Sequence, residues 1–119
     1  MTEQEQQEIR DKAKELQETM NLQPWKIGIH FVSSQEIAGR HSAESAACIE
    51  YMLASKTANI YLNEAETTRE AIKHLKHEMS HIYSYRLDKY IYELLPEAAK
   101  DIFNELIEEI TEDISNLLR

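Results

Sequence analysis

A single cysteine, Cys48, stands in the 119 residues, and one thiol excludes an internal disulfide framework. Inside the expected strand 46–53 it reads as a small buried hydrophobe, not as a ligand or nucleophile. Basic residues are also few, 13 against 22 acidic ones, for a net charge of −9. Such a chain repels phosphate backbones, and no basic patch or aromatic platform offsets this, so no nucleic-acid partner is expected. Long apolar runs are missing as well. The polar start Met1-Thr2-Glu3-Gln4-Glu5-Gln6-Gln7 lacks the apolar stretch of a signal peptide, and no segment approaches membrane-spanning length, so the expected location is cytoplasmic and no membrane partner is expected. No repeat, low-complexity tract or linker divides the sequence, whose length suits one domain, 1–119, with a modest core.

Against these absences stands His77-Glu78-Met79-Ser80-His81, an HExxH pattern inside the segment with the strongest helical character. Four residues are just over one helical turn, so the two imidazoles share a face, about 6 Å apart at Cβ, and can grip one ion. Glu78 is turned about 100° away, beside the metal and not on it, where a carboxylate can take a proton from a metal-activated water. The pattern points to Zn2+ as cofactor, with His77 and His81 as ligands and Glu78 as the catalytic base. On the expected helix, roughly 67–86 at its regular core and 67–90 at its fullest, Ala71, Ile72, Leu75, Met79 and Ile82 cluster on one side. The two histidines project from nearly the opposite side, so they are not core histidines. His74 shares their stripe but lies about 10 Å along the axis from His81, too far for the same ion.

A catalytic zinc needs a third protein ligand and an open position. The helix expected over 96–118 carries an apolar stripe of Ile102, Phe103, Leu106, Ile107, Ile110, Ile114, Leu117 and Leu118, with the acids Glu105, Glu108, Glu109, Glu112 and Asp113 around it. By helical phase Glu108 and Glu112 point away from the stripe as solvated charges. Asp113 projects into the apolar arc and Glu109 sits at its edge one turn earlier. An acid aimed at a core is costly unless it meets a cation or strong donors. Glu109 as the third ligand and Asp113 as acceptor for a ligand-histidine N–H satisfy both acids; Glu105, one turn before Glu109, is the alternative ligand.

The remaining elements read as an α+β fold. An amphipathic helix is expected over the N-terminal segment 1–22, with Ile9, Ala13, Leu16 and Met20 at helical spacing. A small, mostly antiparallel sheet of about three strands is expected over 25–62, from the alternation Trp25, Ile27, Ile29, Phe31 and from the runs 46–53 and 58–62 around the turn Ser55-Lys56-Thr57. The segment 33–45 reads as a loop whose Arg40-His41 pair is ordinary surface. Thr67-Thr68-Arg69-Glu70 is a capping box that opens the HExxH helix.

The chain resembles the gluzincins, the thermolysin-like clan in which HExxH is followed by a glutamate on a later helix and an acid four positions on. Here His77-Glu78-Met79-Ser80-His81 is followed, after the 27 residues 82 to 108, by Glu109-Ile110-Thr111-Glu112-Asp113. The likeness extends over about 25–118 in element order and is closest to the minigluzincins and the compact zinc-peptidase domains of the ImmA/IrrE kind. It implies a zincin-like fold, zinc held by His77, His81 and Glu109, Glu78 as general base and acid, and Asp113 orienting a ligand histidine. The large extra subdomain of full-length thermolysin-like enzymes has no counterpart, which implies a dedicated peptide or protein substrate.

In such a site the strand 58–62, directly before the active-site helix, would offer an edge to an extended peptide. Tyr83, Tyr85, Tyr90 and Tyr92 read first as an interfacial aromatic cluster and, by proximity, as candidates for the oxyanion donor. The alternative function is a non-catalytic protein-interaction domain with a structural or vestigial zinc site. Glu78 favours the enzyme, since a structural site needs no base beside its metal.

Overall fold

Thr2 and Glu5 satisfy each other's backbone donors, Thr2 Oγ1 accepting the Glu5 N–H and Glu5 Oε1 the Thr2 N–H, each at 3.1 Å. This capping box starts helix α1, Glu3–Thr19. The computed structural model describes residues 1–40 and 47–118, without the side chains of residues 86, 87, 89 and 90. In α1 the face of Ile9, Ala13 and Leu16 is buried. The helix ends where Asn21 takes a left-handed conformation, φ 57, and Leu22 N–H returns to the Gln17 carbonyl at 2.8 Å. Then follow β1 (Lys26–Val32), α2 (Ser34–Arg40), β2 (Ala47–Met52), β3 (Thr57–Asn63), α3 (Thr68–Leu94) and α4 (Glu97–Leu117). The architecture is α+β, with four helices and three strands among the described residues.

The sheet is mixed, not mostly antiparallel, in the order β1-β3-β2. β1 runs parallel to β3, with Ile29 opposite Ile60, and β2 runs antiparallel to it, with Ile49 opposite Ile60. The physical reason lies in the connections. β2 and β3 are joined by a tight turn in which Lys56 has φ 51, whereas α2 and β2 together form a crossover long enough to bring β3 back parallel to β1. β3 is therefore the centre of the sheet, and among the described residues the edge strand next to the cavity is β2, not the expected strand 58–62. The expected loop 33–45 contains helix α2, whose Ile37 is fully buried against Cys48 and Tyr61 on the outer face of the sheet. Arg40 lies over the Tyr61 ring at 4.1 Å and pairs with Glu50 at 2.9 Å; His41 lies outside the described residues.

The inner face of the sheet, with Ile29, Ala58, Ile60 and Leu62, packs with Ile9 and Leu16 of α1 and Leu75, Met79 and Ile82 of α3. Each such fully buried Ile, Leu or Met contributes roughly 1.5–3 kcal/mol relative to an exposed one. The capping box at the start of α3 is present, with Thr67 as N-cap and Glu70 as its partner. α3 runs further than expected, to Leu94, and stops where Leu95 becomes extended before Pro96. Pro96 then stands at the N-cap position of α4, with no side-chain capping bond, and α4 packs on α3.

The rotation of α4 differs from the expectation. Its buried residues are Thr111 and Ser115, while Ile102, Leu106, Ile110 and Leu117 of the apolar stripe are 50–81% exposed. α4 packs on α3, and small side chains such as Thr111 and Ser115 suit such a helix–helix contact. That contact, and not the centre of the stripe, sets which acids of α4 face inward.

Candidate metal centre

The periodicity of α3 puts Leu75, Met79 and Ile82 into the core, and the same rotation presents His77 and His81 to a cavity of about 600 Å³ between β2, α3 and α4. Their rings stand 5.0 Å apart at an interplanar angle of 78°. His77 Nε2 lies 3.2 Å from Glu108 Oε2 and His81 Nε2 lies 3.3 Å from Glu108 Oε1. The three ligand atoms fall within 4.8 Å of one another. On its other side, His77 Nδ1 is 2.7 Å from Glu112 Oε2.

These contacts test whether the donors suit a cation. With its Nδ1–H given to Glu112, a neutral His77 presents a lone pair at Nε2, facing a carboxylate oxygen. Two lone pairs at 3.2 Å repel unless a positive charge lies between them, either a second ring proton or a metal ion. Ligands about 2.0–2.1 Å from a tetrahedral zinc are themselves about 3.3 Å apart. The two nitrogen–oxygen separations match that spacing, and the donor set of two imidazoles and a carboxylate is one that zinc accepts.

Glu78 lines the same cavity and is 8% exposed. Burial pushes its pKa up to about 7, the repulsion of Glu108 adding to this and the attraction of His77 opposing it. A carboxyl group poised near neutrality beside a cluster of imidazoles can both accept and donate a proton.

His77, Glu78 and His81 are thus brought together. Glu109 and Asp113 belong to neither the group His77, His81 and Glu108 nor the hydrogen bond to His77, and they are exposed, as Glu108 also is. Glu108 and Glu112 make the contacts with the histidines instead, and the expected Glu105 alternative is likewise outside the group. The offset is one residue, or about 100° of helix rotation. Glu108-Glu109-Ile110-Thr111-Glu112 also has an acid four residues after a glutamate, so the spacing signal was present twice. The apolar stripe pointed to the copy at Glu109 and Asp113, whereas the copy at Glu108 and Glu112 lies against the histidines.

His74 lines the cavity but its Nδ1 lies 2.8 Å from Glu66 Oε2, away from the ligand group. Cys48 is buried, and burial raises its thiol pKa. Of the tyrosines expected near the site, Tyr83 is exposed, while Tyr85 and Tyr92 line a smaller crevice next to the cavity; the Tyr90 side chain lies outside the described residues. Sequence reasoning missed Tyr51. It lines both spaces, packs edge-on to Tyr85 at 3.7 Å between ring centroids, and keeps its phenol proton because burial raises its pKa. Its alternation with Ile49 on β2 was the available signal.

No family model, no curated protein and no solved structure matches the chain. Among the described residues no helix is long and apolar enough to cross a membrane.

Proposed function

We propose that this chain is a zinc-dependent peptidase of zincin-like, gluzincin-type organisation, with His77, His81 and Glu108 holding the metal and Glu78 moving the proton. The observation that carries the reading is the combination at His77. Glu112 holds its Nδ1 at 2.7 Å, which leaves Nε2 directed with that of His81 toward one carboxylate, while a buried acid stands at its side. Partner carboxylates of this kind fix a ligand imidazole's tautomer and orientation. A structural site would not need Glu78.

Zinc, when bound, supplies a Lewis acid that polarises a peptide carbonyl and eases ionisation of water. Glu78 takes the proton from the attacking water and returns it to the departing amine nitrogen, so that one group serves as base and then as acid. Glu112 prevents the His77 ring from turning. β2, whose Ala47, Ile49 and Tyr51 line the cavity, offers its free edge to an extended peptide.

The test uses purified chain with one equivalent of zinc and a peptide-library digest read by mass spectrometry. Chelator-sensitive cleavage that falls by a factor on the order of 10³ or more in Glu78→Gln, with zinc retained, supports the reading. Equal cleavage by Glu78→Gln would refute the proton-transfer role.

A second reading, a non-catalytic interaction domain with a structural zinc site, draws on the outward-facing Ile102, Leu106, Ile110 and Leu117 of α4. Zinc binding without any cleavage of the library would favour it.

A further inference from the structure

Beyond His81 the face of α3 continues at helical spacing through Tyr85, Asp88 and Tyr92. With α4 these residues enclose a crevice of about 330 Å³ that shares Tyr51, His81 and Glu108 with the metal cavity. A group held at the metal centre therefore has direct access to it. Its remaining wall is mainly aromatic, with Asn104 and Ile107 of α4 and the single acid Asp88. Tyr51 and Tyr85 meet edge-to-face, Tyr92 and Phe103 lie 6.2 Å apart, and Asp88 accepts the Ser84 hydroxyl at 2.6 Å.

Resting on the zinc-peptidase reading, we propose that this crevice between α3 and α4 is a subsite for the lysine or arginine side chain of the peptide substrate. The rings provide negative faces and apolar surface along which a long aliphatic stem can lie. Tyr92 already accepts a cation in this way, with Lys100 Nζ 5.0 Å from its ring centre. One hydroxyl does not exhaust the acceptor sites of the Asp88 carboxylate, so it can also receive an ammonium or guanidinium group. A neutral aromatic side chain would fill the same space but strip water from Asp88 without replacing its charge partner, which is costly. The net charge of −9 also draws cationic peptides toward the chain. With Glu108 engaged at the metal, Asp88 is the carboxylate that discriminates.

The experiment uses the full chain loaded with cobalt(II) or zinc and two metal-binding probes, N-acetyl-L-lysine hydroxamate and its neutral counterpart N-acetyl-L-norleucine hydroxamate, in competition with acetohydroxamate. The lysine probe should bind about tenfold tighter or more at low salt. In Asp88→Asn, which preserves shape and the Ser84 contact, the ratio should fall to roughly threefold or less. Two results overturn the subsite and leave the metal reading standing: equal or tighter binding of the norleucine probe, or an undiminished lysine preference in Asp88→Asn. Failure of all three hydroxamates to bind overturns the metal centre, and the subsite with it.

Discussion

Glu112 accepts from His77 across the α3/α4 interface, Oε2 to Nδ1 at 2.7 Å, although 35 residues separate them in the chain. Through this contact a residue off the metal controls the ring nitrogen that would be on it. Glu112→Ala should therefore weaken zinc binding by roughly 10- to 100-fold, whereas Asp113→Ala, on the solvent side, should leave it unchanged. Competition with a chromogenic chelator measures both. Identical affinities for the two variants would remove Glu112 from the site.

The third ligand is tested in the same assay. Glu108→Ala should empty the centre at chelator concentrations that leave the parent loaded, while Glu109→Ala should behave as the parent does. A reversed result would mean that α4 turns by one residue when the metal enters.

Glu78 makes the metal-free chain sensitive to pH. Its folded pKa of about 7 stands above the ordinary 4.5 because burial disfavours the charged form. At a pH between the two values the folded state holds a proton that the unfolded state has released. Its contribution to stability is thus fully present below about pH 4.5 and is lost as the pH rises through about 7. Glu78→Gln cannot titrate, so in chelator-treated protein it should gain about 3 kcal/mol relative to the parent between pH 4.5 and pH 8. Urea unfolding at both pH values supplies the numbers, and a pH-independent difference would contradict the burial argument.

Thr111 presents a different kind of cost. It is 1% exposed, and among the described residues its hydroxyl has no hydrogen-bond partner. Thr111→Val keeps the shape and removes the stranded group, so it should stabilise the fold by about 1 kcal/mol. Thermal unfolding of the chelated protein would register this as a higher Tm, and a lower Tm would show that the hydroxyl is satisfied in solution.

Much of this molecule was legible along the chain because local periodicity records it. The Thr67–Glu70 capping box, the burial of Leu75 and Met79, the exposure of His77 and His81 to one side, and the alternation of the strands each depend on residues within a few positions of one another. So does the placement of Glu78 next to the histidines. What tertiary structure alone decided is everything that requires a second element. The direction of β1 relative to β3 depends on a crossover whose helix α2 is short and weakly patterned. The acids that meet the histidines depend on the rotation of α4. Glutamate or aspartate occupies positions 105, 108, 109, 112 and 113, so some acid would face α3 at several different rotations. The apolar stripe favoured Glu109 and Asp113, but burial of the Thr111 and Ser115 face brought Glu108 and Glu112 to the histidines, because a helix's rotation is set by the surface against which it packs.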